Sequence, residues 1–195
     1  SAQARPLNGV GRSGWGRSGR SLALLAGSSL IGWLVCVALP APAWAFKERD
    51  LDRLKQTNAC QNCDLSEANL AGMSLVNANL VGTNLSKAKL AGTNLTQANL
   101  SSSNLENADL TGANLSEAIL QATNFSGATL SRANLSNADL YQAFLDGAKL
   151  DRANLFMANL RRSNLCNADL TGADVREADF GEAKMAAACP ASPSR

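Results

Sequence analysis

The chain has 195 residues with 18 Lys and Arg, 16 Asp and Glu, and no histidine, so its formal net charge is +2. The absence of histidine excludes Ser–His and Cys–His nucleophile pairs and histidine-ligated metal sites. No Gly-rich loop ends in Lys-Ser or Lys-Thr, which excludes a phosphate-binding loop of that type. We therefore expect a protein that is not an enzyme and that holds no cofactor and no metal.

Residues 1–45 are predicted to be a cleaved signal peptide. Their first part is basic and contains no acidic residue, and an apolar run follows from Leu22 to Leu39. The Ala43-Trp44-Ala45 sequence then offers an A-x-A pattern for cleavage after Ala45. The alternative is an uncleaved membrane anchor, because the run is near the lower length limit of a span. Beyond Ala45 the chain has 14 Lys and Arg against 16 carboxylates, a formal charge of −2.

Residues 46–62 are predicted to form a short N-terminal helical cap. The charged stretch from Lys47 to Lys55 contains Leu51 and Leu54 three positions apart and has no Gly or Pro, which indicates an amphipathic helix. A helix this short is marginal alone. We expect its apolar stripe to rest on the open end of the repeat that follows.

Residues 63–184 repeat with a period of five. A large apolar residue fills each of 24 positions from Leu65 to Phe180, and leucine takes 21 of them. Two positions earlier stands a small residue, alanine in 17 cases, and Asn or Asp directly precedes the large residue in 18. The alternation of an extended chain points the large and the small residue inward. The remaining residues turn the chain. Four such turns close a square of 20 residues, so the pattern predicts an all-β solenoid of about six coils.

These units resemble the pentapeptide-repeat family, as in the stretches 68–72 and 113–117. The resemblance covers about 120 residues and implies a right-handed quadrilateral β-helix. The opening Cys-Gln-Asn-Cys-Asp-Leu-Ser at residues 60–66 is also similar to the start of exported pentapeptide proteins of cyanobacteria and plastids. The implied location is a thylakoid lumen or a periplasm.

One inward column of small residues carries hydroxyl groups instead of alanine. Folding the sequence at 20 residues stacks Cys63, Thr83, Ser103, Thr123, Ala143 and Ser163. Buried hydroxyls must be hydrogen-bonded, and we expect carbonyls or one another as their partners. A functional interpretation is that these hydroxyl groups hold a line of bound water. We prefer the simpler interpretation that Ser and Thr side chains fit the space along that wall.

Four cysteines follow the leader: Cys60, Cys63, Cys166 and Cys189. An even number in an exported chain suggests disulfides. Zinc would need two ligands besides Cys60 and Cys63, and Cys166 lies about five coils away, or ~24 Å at strand spacing. Two interpretations of Cys60 and Cys63 therefore remain: a structural disulfide that locks the helix to the solenoid, or a redox-active pair. Cys166 and Cys189 pair only if the tail folds back.

Apolar and basic exceptions to the outward polar pattern gather in the later coils. They form a predicted partner-binding patch of Tyr141, Phe144, Phe156, Met157, Arg161 and Arg162. Aromatic, Met and Arg side chains are enriched at interfaces, whereas scattered apolar surface residues are common and need no function. Ile119 is a further exception.

Residues 185–195 are predicted to be a C-terminal cap or tail. A second short helical cap is an additional possibility over Gly181–Cys189, with Met185 in the position where another leucine would fall.

The leading hypothesis is a non-enzymatic exported scaffold that binds an unidentified protein. A thiol-redox protein using Cys60 and Cys63 is the alternative. A DNA-mimicking topoisomerase inhibitor, a function known in this family, is disfavoured for three reasons. The formal charge of the residues beyond Ala45 is only −2, and the Arg161-Arg162 pair interrupts an acidic rod. The leader also directs the chain away from DNA. We expect no nucleic-acid partner, and a membrane only through an uncleaved leader.

Overall fold

The computed structural model describes residues 43–185. The predicted signal peptide up to residue 42 and the tail from residue 186 lie outside the described residues. Within them, α1 spans Ala43–Thr57. Beyond α1 the described chain coils with a constant period, which sets where every later side chain lies.

α1 ends because Asn58 takes the left-handed backbone conformation, with φ 55°. Its amide donates a hydrogen bond of 2.9 Å to the carbonyl of Leu54. Asn is one of the residues that tolerate this position after a helix. The helix thus covers residues 43–57, whereas the sequence predicted a helical cap over 46–62. The difference arises because the first coil already begins at Ala59, which pairs with Asn79.

The coils are joined by single-residue parallel bridges between residues 20 apart. The first bridge joins Ala59 to Asn79, and the last joins Asn164 to Lys184. A bridge residue recurs every fifth position, so each 20-residue coil has four sides and no longer strand forms within residues 43–185. We name these sides A, B, C and D by the positions 59, 64, 69 and 74 and every twentieth residue after each.

A two-residue turn joins each side to the next. In the turn after Leu65, the amide of Ala68 donates to the Leu65 carbonyl at 3.1 Å, and the third residue, Glu67, has φ 62°. A positive φ at this position alone is the pattern of a type II turn. A left-handed residue other than glycine costs about 1–2 kcal/mol. Bonding between coils helps to offset that cost, as where the Glu67 amide donates to Ser86 O at 2.9 Å.

The core is a bore lined by the period-five residues. The leucines from Leu65 to Leu165 are at most 3% exposed, and the alanines at the inward positions from Ala78 to Ala158 are at most 1% exposed. Phe125 occupies one leucine position and is fully buried. The predicted inward placement of the large residue and of the small residue two positions before it is confirmed.

The hydroxyl groups in the bore donate to backbone carbonyls. Ser103 Oγ and Thr123 Oγ1 both donate to Leu100 O, at 2.6 and 2.8 Å. Ser163 Oγ donates to Leu160 O at 2.6 Å. Every buried side-chain nitrogen and oxygen of the described residues has a partner. The backbone therefore satisfies this wall without bound water, in agreement with the simple-fit interpretation.

The Asn or Asp before each large residue makes two kinds of bond. Asn134 Oδ1 accepts the amide of Ser136 at 3.2 Å, which fixes the following turn. Asn134 Nδ2 donates to Asn114 Oδ1 at 3.1 Å, and Asn154 Nδ2 donates to Asn134 Oδ1 at the same distance. Side D thus carries a ladder of asparagines, which explains physically why the repeat favours Asn at its bridge positions.

The two ends of the bore differ. At the N-terminal end, Leu54 of α1 is 1% exposed and belongs to the core, and Leu51 packs against it. At the C-terminal end, Val175 is 40% exposed. The expected helix over Gly181–Cys189 is wrong for its first part, because the period of five continues: residues 181–182 form another turn and Lys184 bridges to Asn164. The rest of that predicted cap lies outside the described residues.

Candidate protein-binding surface

The predicted patch borders side A on both edges. Tyr141 lies in the turn from side A to side B, and Arg161 and Arg162 lie in the same turn one coil later. Phe156 and Met157 form the turn that enters side A from side D, and Phe144 is the next bridge residue on side B. The fold therefore brings the six predicted residues to two neighbouring turns and one adjoining side.

Phe144 and Met157 are the most exposed apolar side chains of the patch, at 50% each. The fold requires neither. Met157 has φ 57°, a conformation that glycine adopts without strain. Phe144 occupies a bridge position at which sides B and D otherwise mostly carry Asn. In the preceding coil, Asn124 Oδ1 accepts the amide of Ser126 at 3.0 Å and so caps the turn. The phenylalanine side chain cannot accept the amide of Asp146 in the same way.

Arg162 is held between an acid and an aromatic ring. Its Nε donates to Glu182 Oε2 at 2.9 Å, and its Nη1 donates to the Tyr141 hydroxyl at 3.0 Å. The guanidinium carbon lies 6.0 Å from the Tyr141 ring centroid, within cation–π range. Hydrogen bonding to Glu182 first, and to Tyr141 second, raises the pKa of Arg162. Tyr141 is thereby fixed in orientation rather than free.

Arg161 is also paired. Its Nη1 lies 3.3 Å from Asp179 Oδ2, and its Nη2 lies 3.6 Å from Glu182 Oε1. The Gly181 amide, and after it Arg161, lowers the pKa of Asp179. Exposed pairs of this kind contribute little to stability. Their consequence is electrostatic: the two arginines face two carboxylates, so this part of the surface has no formal net charge.

Phe156 is partly covered by Arg176, which lies one coil above it. The Arg176 guanidinium carbon is 5.8 Å from the Phe156 ring centroid, and its Nε and Nη2 donate to Asp174 at 2.9 and 2.7 Å. Hydrogen bonding from the Arg176 side chain lowers the pKa of Asp174 to about 2. Phe156 is half-buried, so it offers less apolar area than Phe144 or Met157.

Ile119 extends the patch along side A. It is 40% exposed and pairs with Asp139 in the next coil. Like Phe144, it stands where the repeat otherwise places Asn or Asp, and the same broken pattern in the sequence marks both residues. Arg176, Asp179 and Glu182 were missed by the sequence prediction, although a 20-residue step from Phe156 and from Arg162 leads to Arg176 and Glu182.

The Cys60–Cys63 pair closes the first turn of the solenoid. The two sulfurs are 2.06 Å apart and the Cα atoms 5.4 Å apart. Cys60 is fully buried and Cys63 is 5% exposed, because both occupy inward positions under α1. The Cys60 sulfur lies 3.2 Å from the Asp50 carbonyl oxygen, which is a contact and not a hydrogen bond, since a disulfide sulfur has no proton. Burial keeps an attacking thiolate away from both sulfurs.

The same corner does not suit a metal ion. Asp50 lies with Cys60 and Cys63 in a group whose potential ligand atoms are within 4.8 Å of one another. The two sulfurs are joined in a disulfide, whereas metals bind the thiolate form. Asp50 Oδ2 also accepts the Asp64 amide at 2.9 Å. This group of the described residues is therefore better understood as a junction between α1 and the first coil.

Cys166 lies in a turn at the opposite end and is only 4% exposed. It is disulfide-bonded, and its partner lies outside the described residues. Cys189 also lies outside them, so its pairing with Cys166 stays a prediction. Among residues 43–185, no helix is long and apolar enough to cross a membrane.

Comparison with solved structures gives several pentapeptide-repeat proteins. The protein Rfr23 of the cyanobacterium Cyanothece is 27% identical over 71% of this chain and 98% of its own, with a TM-score of 0.29. HetL of Nostoc, described as involved in heterocyst differentiation regulation, is 31% identical over 65% of this chain and 74% of its own, with a TM-score of 0.22. A protein of the Arabidopsis thaliana thylakoid lumen is 28% identical over 62% and 68% of the two chains, with a TM-score of 0.23. At these TM-scores the superpositions carry no structural argument.

No curated protein matches the chain significantly. The sequence model described as pentapeptide repeats matches with 8 copies, in overlapping segments at residues 63–101, 78–117, 93–132, 118–155, 128–165 and 148–185. These segments together span residues 63–185, well over half of the chain. The chain therefore belongs to the pentapeptide-repeat family, whose members fold as right-handed quadrilateral β-helices.

Proposed function

We propose that this pentapeptide-repeat protein is a non-enzymatic scaffold that binds a protein partner through the patch of Tyr141, Phe144, Phe156, Met157, Arg161 and Arg162. One observation carries the proposal: Phe144 and Met157 are each half exposed on a frame whose outward positions are otherwise mostly polar. Exposed apolar groups rimmed by polar residues are typical of interaction sites.

The contact is apolar in character. Arg161 and Arg162 already face Asp179 and Glu182 at 2.9–3.6 Å. A partner thus meets a locally neutral surface, and its binding depends little on salt. The same pairing weakens the DNA-mimic alternative, because these turns present arginines between the acids instead of a continuous acidic row.

A structural role is proposed for the Cys60–Cys63 disulfide, with the thiol-redox function as the alternative. Its burial supports the structural role. Measuring its reduction potential distinguishes the two: a potential below about −300 mV is that of a structural disulfide, and a value near about −200 mV is that of an exchange-active pair.

Export to a thylakoid lumen or a periplasm is part of the proposal. Its support is the basic and apolar leader with its A-x-A pattern. Intact-mass measurement on fractionated cells tests it. A lumenal or periplasmic species that begins at Phe46 agrees with the proposal, and a full-length species in the cytosol opposes it.

The binding test compares matched variants at the same height of the solenoid. Phe144→Ser and Met157→Ser remove the exposed apolar side chains. Lys149→Ser and Arg152→Ser change an exposed side position and an exposed turn position elsewhere in that coil. We expect quantitative affinity capture from the native compartment to lose the same partner with both patch variants and to retain it with both controls. Equal partner sets for all four proteins would refute the patch.

A further inference from the structure

A cavity of about 270 Å³ lies between α1 and the first coil, at the opposite end of the solenoid from the patch. Its apolar lining comes from Leu51, Leu65 and Ala68, and the rest of its lining comes from Lys47, Glu48, Asp64, Ser66 and Glu67. The volume lies just below the usual range for ligand sites, about 300–1,000 Å³. It suits one or two side chains rather than a complete cofactor.

The cavity exists because α1 covers only part of the bore. α1 is fixed over side B: Lys47 Nζ donates to Ser66 Oγ at 2.7 Å, and Asp50 Oδ2 accepts the Asp64 amide at 2.9 Å. Ala68 on the next side is only half-buried, whereas its equivalent one coil later, Ala88, is fully buried. A core-lining position is therefore left open to the cavity.

The rim of the cavity is acidic. Glu48 and Glu67 are exposed and Asp64 is half-buried, so three carboxylates face the single ammonium of Lys47. Burial opposes ionisation of Asp64, yet hydrogen bonds from Ser66, helped by Lys47 and Asn84, outweigh it and lower the pKa of Asp64. With three carboxylates and one ammonium group, the rim has a formal charge of −2.

We infer that this cavity binds a peptide segment of a partner protein in which an aliphatic side chain stands next to a Lys or Arg. The aliphatic group contacts the Leu51, Leu65 and Ala68 floor, and the cation lies against Glu48 and Glu67. Charge complementarity determines this choice: an anionic group would meet the net negative rim, and a neutral apolar group would leave two carboxylates without a counter-charge. The site is separate from the proposed patch, and neither depends on the other.

The test is nuclear magnetic resonance of the full ¹⁵N-labelled chain titrated with acetyl-Leu-Lys-amide, with acetyl-Leu-Glu-amide as the matched peptide. We expect saturable shifts confined to the amides of residues 64–68 and α1 with the lysine peptide, and none with the glutamate peptide. Glu67→Gln should weaken binding about three-fold, the factor for one partly screened charge contact. Glu177→Gln is the control, because Glu177 has the same left-handed turn position, φ 59°, at the other end of the solenoid.

Ala68→Met separates cavity binding from surface charge. Met73 already shows that the first coil accommodates methionine at a core-lining position, where it is half-buried. Filling the floor in this way should abolish the shifts while the spectrum of the other coils is unchanged. Equal shifts with both peptides, no saturable shift, or retention of binding in Ala68→Met would overturn the inference. A soluble gadolinium agent gives a further check in the absence of peptide. If it fails to broaden the amide signals of residues 66–68, the chain's own residues fill the cavity and the inference is overturned.

Discussion

Replacement of Phe144 by two different small residues tests whether the fold itself favours that phenylalanine. Phe144→Ala removes the ring and adds no hydrogen bond. Phe144→Asn removes the ring and places an asparagine in the side B column, between Asn124 and Asn164. The two variants thus share the loss of apolar burial and differ only in polar bonding.

The magnitudes follow from the geometry around Phe144. The ring is 50% exposed, so its loss costs about 1 kcal/mol, half of the lower range for burying a complete phenylalanine. The asparagine introduced by Phe144→Asn would accept the amide of Asp146, as Asn124 does for Ser126 at 3.0 Å. It would also donate to Asn124, as Asn124 does to Asn104 at 3.1 Å. Two exposed hydrogen bonds at about 0.5 kcal/mol each offset the lost burial.

We therefore expect Phe144→Ala to lower the free energy of unfolding by about 1 kcal/mol and Phe144→Asn to leave it nearly unchanged. Urea unfolding followed by circular dichroism measures both, with wild type in parallel. An asparagine variant no more stable than the alanine variant would refute the reasoning. It would mean that the phenylalanine is held by packing and is not a departure that the fold merely tolerates.

Glycine positions and one ion pair give two further predictions. Gly92→Ala should cost about 1 kcal/mol from its left-handed backbone alone, since no atom lies within 4 Å of the added methyl group. Gly82→Ala should cost about the same, because its methyl meets the end of the exposed Asn62 side chain, which can rotate away. A loss in thermal unfolding that is much larger for Gly82→Ala than for Gly92→Ala would contradict this. Asp174 should titrate with a pKa of about 2, so the stabilising pair with Arg176 is present at neutral pH and is lost as the pH falls through that value. The titration midpoint of Asp174, followed by its carboxyl ¹³C shift, should rise in Arg176→Gln. An unchanged midpoint would show that the pair with Arg176 does not cause the low pKa of Asp174.

The sequence predicted the core well because a five-residue period leaves little choice. Every fifth large residue from Leu65 and the small residue two positions before it must point inward, and away from the two ends of the solenoid both are buried. The placement of Asn154 above Asn134, 20 residues apart, follows from the same register. Which residues stack on one another can be predicted by counting 20 positions along the sequence, since each bridge joins residues separated by one coil.

Side-chain reach and the ends of the solenoid were beyond that counting. Arg161 is 20 residues after Tyr141, so counting alone would pair these two residues. The hydrogen bond to Tyr141 comes instead from Arg162, because a long side chain can cross to the neighbouring residue of the turn. Glu182, by contrast, lies 20 residues after Arg162, so its pairing with Arg162 could have been found by counting. The position of α1, which creates the cavity beside Leu51, depends on contacts between a helix and a five-residue repeat. The sequence contains no repeating pattern that predicts those contacts.

Site-specific photo-crosslinking in the native compartment tests the proposed patch most directly. A photoreactive amino acid placed at Met157 lies in the patch, and the same amino acid at Arg152 lies in the preceding turn of the same coil with the same φ of 57°. We predict a discrete protein adduct from position 157, little changed by about 0.5 M salt because the surface is locally neutral, and none from position 152. Equal adducts from both positions, or none from position 157, would contradict a protein-binding surface here.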